Sequence, residues 1–169
     1  DLATGEVATL PDLYVFQPGD LWNVAVTPDE EYAVLASAYD DDASLYVTDG
    51  AEMMAIDLKA QTTQEGIFDA SIVYPDVLSI SPNPAAPKVA FDALRRVTAG
   101  ADTLEFWGIY ELDFDSELLY NLVPAQPTDV GVGYITYSST DPDLVAFNVF
   151  DDAGNVGLMA AFFADGEIY

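Results

Sequence analysis

The stretch VTPDEEYAVLASAYDDDASLYVTD, Val26–Asp49, contains the pattern on which the fold prediction rests. A Thr-Pro-Asp turn precedes the apolar run AVLASAY, and three consecutive aspartates separate that run from the apolar run that follows. Turn residues between short runs rich in Val, Ile, Tyr and Phe are typical of β-strands. The stretch therefore predicts strands joined by polar turns.

Similar runs recur along the whole chain, each bounded by Asp, Gly, Pro or Asn. No stretch with helical spacing of apolar residues exceeds two turns. Residues Ala51–Ala60 include good helix formers, but their place in the repeat favours a strand. We therefore expect an all-β chain. The main predicted strands are Leu21–Thr27, Tyr32–Tyr39, Met53–Leu58, Val77–Ser81, Lys88–Leu94, Leu104–Leu112, Gly133–Tyr137, Leu144–Phe150 and Val156–Phe163.

Two short patterns repeat along the chain. A tight turn after a strand is marked by Asp1, Asp57, Asp113 and Asp165, which are 56, 56 and 52 residues apart. A Ser/Thr-Pro-Asp-like turn also precedes each of the apolar runs AVLASAY, KVAFDAL and LVAFNVF. Two patterns with one period indicate true repeats. We expect one region with three repeats, about 1–56, 57–112 and 113–169.

The order of these elements resembles the WD-like β-propeller repeat of TolB-type proteins. The best matches are Val26–Asp49 and DLATGEV, Asp1–Val7, with Glu30 where the family prefers glycine. The second repeat stretches the turn to SPNPAAPKVAF, and the third has STDPDLVAF. The resemblance implies an all-β fold of antiparallel four-stranded blades, here a partial propeller of about three blades.

Three blades are fewer than a propeller usually has, since closed rings contain about four to eight. The chain also begins with Asp1 and not with Met. Three interpretations remain open. The chain is part of a longer propeller, or it is completed by further copies or by other subunits of a larger assembly, or it is a β-sandwich of about ten strands.

The composition excludes most catalytic chemistry. The chain has no histidine and no cysteine, and its 30 acidic residues face only 4 basic ones, for a net charge of -26. Cysteine nucleophiles, Ser-His-Asp triads and zinc sites all need side chains that are absent. The negative field also repels nucleic acids and anionic lipids. We expect a non-enzymatic protein that does not bind nucleic acid.

The acidic surface is typical of proteins from halophilic or marine organisms, where carboxylates hold water against salt. No run approaches the ~18 apolar residues of a membrane-spanning helix. We expect a periplasmic or extracellular protein, with the cytoplasm of a salt-accumulating halophile as the alternative.

Carboxylate clusters are the candidate metal ligands, since Ca²⁺ binds six to eight oxygen atoms. Asp and Gly also populate hairpin turns for conformational reasons, so turn formation is the competing interpretation. No cofactor other than calcium is expected. The candidates are Asp40, Asp41, Asp42, Asp151 and Asp152, with the pairs Asp113/Asp115 and Asp141/Asp143 in similar turns.

Two facing carboxylates could instead serve a carbohydrate-active site. Asp69, Asp92, Glu105 and Glu111 are the acids least typical of turns. Asp92 is followed by the basic pair Arg95–Arg96, so an ion pair is expected there.

We therefore expect a protein-interaction or scaffold module, an accessory subunit that binds other protein subunits or the remainder of a propeller. A ligand-binding, calcium-binding or carbohydrate-active propeller is the alternative. Large aromatic residues are expected to pack between blades. They are Trp22, Phe91, Phe106, Trp107, Phe147 and Phe150.

Overall fold

A computed structural model describes residues 21–39, 42–48, 53–58, 69–99, 101–116, 118–123, 130–162 and 167–168. These residues form twelve strands in three four-stranded antiparallel sheets. Sheet I contains β1 (Leu21–Val26), β2 (Ala33–Tyr39), β3 (Asp42–Thr48) and β4 (Met53–Asp57). Sheet II contains β5 (Asp69–Ile80), β6 (Lys88–Ala99), β7 (Asp102–Asp113) and β8 (Leu118–Val123). Sheet III contains β9 (Val130–Tyr137), β10 (Leu144–Asp151), β11 (Val156–Phe162) and β12 (Glu167–Ile168).

The three sheets are stacked in chain order. In each sheet the strands follow one another in sequence, so every connection joins neighbouring strands. The first strand of sheet II lies over β1, β2 and β3, and the first strand of sheet III lies over β5, β6 and β7. Sheets II and III thus each pack their first strand across the face of the preceding sheet, which is the arrangement of partial propeller blades. The prediction of an all-β fold with four-stranded antiparallel units is confirmed.

Side chains that alternate along the strands of sheet II pack against sheet I on one face and against sheet III on the other. Val89, Phe91 and Ala93 are fully buried in the core between sheets I and II. Ala90 and Ile109, also fully buried, belong to the core between sheets II and III. Successive side chains on a strand point to opposite faces, so sheet II is covered on both sides. This explains why its strands read as nearly continuous apolar runs.

The same backbone hydrogen bond closes the connection between the first and second strands of each sheet, although the connections differ in length. Backbone N–H groups of Thr27, Ser81 and Ser138 donate to the carbonyl oxygens of Tyr32, Lys88 and Leu144, at 2.9, 2.9 and 2.8 Å. These bonds make Tyr32, Lys88 and Leu144 equivalent positions. The apolar run AVLASAY therefore begins one residue later in its repeat than KVAFDAL and LVAFNVF do.

The first turn also explains a departure from the TolB-type pattern. Glu30 occupies the place where that family prefers glycine, and its φ is 62°. This left-handed conformation is costly for residues with a Cβ atom. Asp29 stabilises the turn by accepting hydrogen bonds from the Thr27 hydroxyl, at 2.6 Å, and the Glu31 N–H, at 3.2 Å. The hydrogen bond from Thr27 lowers the pKa of Asp29.

The strand predictions hold with differences in length. All nine predicted segments contain a strand, and Met53–Asp57 is a strand, as the repeat position predicted. β5, β6 and β7 each extend to twelve residues. β3, β8 and β12 were absent from the main predicted strands.

One repeat marker differs between sheets. Asp113 ends the third strand of sheet II, whereas Asp57 ends the fourth strand of sheet I. The two aspartates are therefore not equivalent, and the predicted repeat boundary near 112 falls inside the hairpin of β7 and β8. The boundaries of the sheets therefore differ from those of the repeats predicted from the aspartate spacing. Asp1 and Asp165 lie outside the described residues.

Among the described residues, no helix has the length and apolar character needed to cross a membrane.

Candidate functional site

Two carboxylates are buried between sheets II and III. Asp92 on β6 is 3% exposed and Glu111 on β7 is 6% exposed. Buried acids need hydrogen-bond or charge partners, because an ionised carboxylate without them is very costly in an apolar interior. Their partners show what each acid does.

Both oxygens of Asp92 accept backbone N–H groups. Oδ1 accepts the N–H of Val77 at 2.7 Å, and Oδ2 accepts the N–H of Tyr134 at 2.6 Å. Val77 is in the same sheet as Asp92, whereas Tyr134 belongs to the first strand of sheet III. One carboxylate therefore links the two sheets.

Two bulges free these N–H groups. The pairing of β5 with β6 shifts between Pro75 and Leu78, so Asp76 and Val77 lie opposite one residue, Asp92. A second shift in β9 places Tyr134 and the residue after it opposite a single residue of β10. A bulge leaves an N–H outside the ladder, and a buried N–H needs an acceptor. Tyr134 has a φ of 56°, a conformation held in place by this arrangement.

Burial raises the pKa of Asp92, and the negative charge of Asp76 adds to the effect. The hydrogen bonds from Tyr134 and Val77 oppose the shift but do not outweigh it. The protonated form of Asp92 is thus favoured relative to an exposed aspartate.

A cavity of about 350 Å³ lies beside Asp92. Its charged side chains are two aspartates, and three of its side chains are aromatic, with no lysine, arginine or amide among them. The ring centroids of Tyr134 and Phe150 are 5.8 Å apart, and Trp107 makes an edge contact with Tyr74 at 6.2 Å. The lining residues are Asp76, Asp92, Trp107, Gly131, Val132, Gly133, Tyr134 and Phe150.

Glycine at position 133 is required by the close approach of Asp92. A Cβ atom on Gly133 would lie 2.8 Å from Oδ2 of Asp92. A Cβ on Gly131 would meet its nearest atom, Cβ of Phe150, at 3.9 Å, an ordinary contact. The Gly131-Val132-Gly133 segment, which lacks the setting of a nucleotide loop, thus has a steric role at its second glycine.

Glu111 belongs to a separate network. Its Oε1 accepts a hydrogen bond from Lys88 Nζ at 3.0 Å, and its Oε2 accepts one from the Tyr137 hydroxyl. The Tyr137 N–H in turn donates to Oγ of Ser79 at 2.8 Å. Burial, followed by the negative charge of Glu111, raises the pKa of Tyr137. This network joins β7 and β9, so it also fastens sheet III to sheet II.

The interface between sheets I and II has apolar residues at the same positions. The turn equivalence places Ala36 at the position of Asp92, and the strand pairing places Val47 at the position of Glu111. Ala36 is fully buried and Val47 is 4% exposed. The buried acids are therefore specific to the second interface and are not a requirement of sheet packing.

The predicted ion pair of Asp92 with the arginine pair is not what the structure shows. Asp92 binds the N–H groups described above, and Arg96 Nε instead donates to Glu105 Oε1 at 2.9 Å. The strand register explains this, because Arg96 and Glu105 are directly opposite each other on β6 and β7. Glu105 is exposed. Of the acids least typical of turns, Asp92 alone lines the cavity; the side chain of Asp69 lies outside the described residues.

Of the calcium candidates, Asp151 closes a turn. Its Oδ1 accepts N–H groups from Ala153 and Asn155, at 3.0 and 2.8 Å, and its Oδ2 accepts the Asn155 side-chain amide at 2.6 Å. The hydrogen bond from the Asn155 side-chain amide lowers the pKa of Asp151. Asp152 is exposed. Asp40, Asp41 and the side chain of Asp42 lie outside the described residues.

The other aspartate pairs also close turns. Asp113 Oδ1 accepts both the N–H and the hydroxyl of Ser116, at 2.9 and 3.0 Å, and Asp141 Oδ1 accepts the N–H of Asp143 at 3.1 Å. In the described part of the chain, no group of three acidic side chains is placed to hold a metal ion. Calcium binding stays a prediction.

Sheet III has an uncovered face, which we call the open face and define by Val156 and Leu158. Leu158 is 75% exposed and Val156 is 60% exposed. Leu158 is equivalent to Leu45 of sheet I and Ile109 of sheet II. Each of the three is the cross-strand partner of an equivalent residue on the second strand of its sheet, namely Asn148, Ala36 and Asp92. Leu45 and Ile109 are fully buried. Leu158 is thus exposed at a position that is covered in the other two sheets.

The aromatic residues divide between packing and the cavity. Phe91 and Phe147 are buried at 0% and 1% exposure in the two cores, as predicted. Trp107 and Phe150 line the cavity, and the side chain of Trp22 lies outside the described residues. Apart from Asp92, an acid inside an apolar run, nothing in the sequence marks the cavity, because the two bulges that form it have no fixed residue pattern.

No protein family and no curated protein matches the sequence. Among solved structures, the fold is similar to that of the tricorn protease, with a TM-score of 0.53. The chain resembles a small part of it. The match covers 86% of this chain and 14% of the tricorn protease chain, at 9% identity. At that identity the similarity supports the fold alone. It agrees with the expected propeller-like arrangement.

Proposed function

We propose that the chain is a non-enzymatic interaction module that docks through the open face of sheet III. The observation that carries the proposal is the exposure of Leu158, whose equivalents in sheets I and II are fully buried by the next sheet. An apolar face of this kind favours a partner over water.

The occupant that fits is the first strand of another propeller-like sheet. In both existing interfaces the preceding sheet is covered by the first strand of the next one, β5 or β9. Leu78 and Ile80 make this contact from β5, and Ile135 and Tyr137 make it from β9.

The first strand of sheet I carries the matching side chains. The turn equivalence places Val24 at the position of Leu78 and Val26 at the position of Ile80. Val24 is 60% exposed and Val26 is 53% exposed. Both halves of an interface that already occurs twice inside the chain are thus present on its surface. The occupant is therefore a second copy of the chain, with sheet I of one copy on sheet III of the other.

A head-to-tail contact made twice would bring six sheets into one ring, since heterologous contacts close when the rotation permits. The charge of -26 on each copy opposes the association at low salt. We expect the complex to form in molar NaCl, where the Debye length falls to about 3 Å.

The test is the mass in solution of the wild type and two variants. In 1 M NaCl, light scattering should give twice the 18.2 kDa chain mass for the wild type and the monomer mass for Leu158→Glu. Leu118→Glu is the matched control, because Leu118 is 50% exposed on β8, away from the open face. A wild type that stays monomeric in high salt, or two variants that behave alike, would refute the proposal.

A further inference from the structure

The cavity beside Asp92 combines two features that the rest of the sheet packing does not require. Its charged side chains are the carboxylates of Asp76 and Asp92, and its walls include three aromatic side chains. The interface between sheets I and II has Ala36 in place of Asp92 and is packed with apolar side chains. Packing alone therefore does not account for two acids at this place.

The chemistry of the lining selects a cation. Ionised carboxylates only accept hydrogen bonds, and the N–H groups nearest to Asp92, on Val77 and Tyr134, already donate to it. A ligand with a positive charge complements this set. The positive charge of such a ligand would offset the burial and the repulsion from Asp76 that raise the pKa of Asp92.

The walls select an organic cation over a metal ion. Calcium takes six to eight oxygen ligands, whereas two carboxylates line this cavity. Aromatic faces attract ammonium groups through cation–π contacts, most strongly where water is excluded. The volume of about 350 Å³ lies at the lower end of the range of small-molecule sites.

We propose that the cavity between sheets II and III binds a small organic ammonium ion, held by Asp76 and Asp92 against the aromatic side chains. The proposal does not require association with a second copy, since both aspartates belong to sheet II, but the cavity adjoins the open face because Phe150 pairs with Val156.

Calorimetric titration with choline tests the charge requirement. The control ligand is 3,3-dimethyl-1-butanol, the neutral carbon analogue of choline, at the same ionic strength. Choline should bind, and the affinity of the neutral analogue should be lower by at least about 10-fold, because it lacks the charge that the carboxylates and rings recognise. Equal binding of the two ligands, or no choline binding at tens of millimolar, would overturn the proposal.

Two aspartate variants test the location. Asp76→Asn removes a charge at the cavity, and Asp152→Asn removes the same charge at an exposed turn. We expect choline affinity to fall about 10-fold for Asp76→Asn and to change less than about twofold for Asp152→Asn. Trp107→Leu should weaken binding as well, since it removes one ring. Equal losses in the two aspartate variants would show a general effect of net charge, and the assigned site would be wrong. Circular dichroism of each variant verifies that it is folded.

Discussion

Asp92 Oδ2 accepts the backbone N–H of Tyr134 at 2.6 Å, across the boundary between sheets II and III. The other oxygen of the same carboxylate accepts the N–H of Val77, at a bulge in its own sheet. The two bulged strands are thus connected through one side chain. Any change that moves this carboxylate should weaken a hydrogen bond to each of the two sheets.

Gly133→Ala should destabilise the fold by about 1–3 kcal/mol, the usual cost of overpacking a well-packed interior. The new Cβ would lie 2.8 Å from Asp92 Oδ2, so the carboxylate must move away from its N–H partners. Gly131→Ala is the control, because its Cβ would make only an ordinary contact with Phe150. Urea unfolding followed by tryptophan fluorescence measures both. Similar losses for the two variants would contradict the steric role of Gly133.

Asp92→Ala should destabilise the fold by an amount that depends on pH. The variant leaves two N–H groups without an acceptor, at a cost of about 1–3 kcal/mol. The folded-state pKa of Asp92 is raised above the ordinary aspartate value of 3.8, so the contribution of Asp92 is fully present below pH 3.8 and declines as pH rises through the folded pKa.

The difference in unfolding free energy between wild type and Asp92→Ala should therefore shrink between pH 3.8 and the folded pKa, by about 1.4 kcal/mol per pH unit within that window. Taking the difference removes the contributions of acids that do not interact with Asp92. A difference that grows as pH rises would show that the pKa shift has the opposite sign.

Tyr137→Phe should cost about 1–3 kcal/mol, because the buried Glu111 carboxylate loses one of its two donors. Tyr120→Phe provides the comparison, since Tyr120 is 44% exposed on β8. That control should change the unfolding free energy by less than about 0.5 kcal/mol. Thermal and urea unfolding of both variants test the prediction, which fails if the two hydroxyls prove equally dispensable.

Glu30→Gly should stabilise the fold by up to about 1 kcal/mol, because glycine adopts the φ of 62° without a steric penalty. Glu31→Gly removes the same charge one residue later, at a position that is not among the residues with positive φ. That variant should lose up to about 1 kcal/mol through the greater chain entropy of glycine. Opposite signs for the two neighbours are the expected result, and a loss in both would contradict it.

The melting temperature should rise as NaCl increases from millimolar to molar concentration. The Debye length shortens from about 30 Å to about 3 Å over that range, which screens the repulsion among the 30 acidic residues. A variant with Asp115, Asp143 and Asp152 changed to Asn should show a smaller rise. A melting temperature that does not respond to salt would exclude charge repulsion as a major term.

The strands were predictable because apolar runs indicate buried strands and turn residues indicate where those strands end. The run KVAFDAL marks β6, and both of its faces are covered by neighbouring sheets. β8, with the sequence LLYNLV, is an edge strand with several exposed side chains, so its pattern is weaker. The DLKAQT segment after β4 resembles the turn after β7 in sequence, and only the strand pairing separates the two.

The cavity was not predictable because it depends on register. Nothing in the residue types of Asp76, Val77 and Tyr134 shows that each lies at a bulge. Asp92 did stand out as an acid inside an apolar run, which was the one usable signal. Its basic neighbours suggested an ion pair, yet the strand register places Arg96 directly opposite Glu105.

The carboxylate of Asp92 also makes the second interface directional. Apolar surfaces tolerate sliding, since one methyl group substitutes for another at little cost. A carboxylate held by one N–H from each sheet does not, because moving sheet III by a single residue would leave that charge facing a side chain in place of a donor. Sheet III therefore has a unique position along sheet II, whereas Ala36, at the equivalent place in sheet I, sets no such constraint.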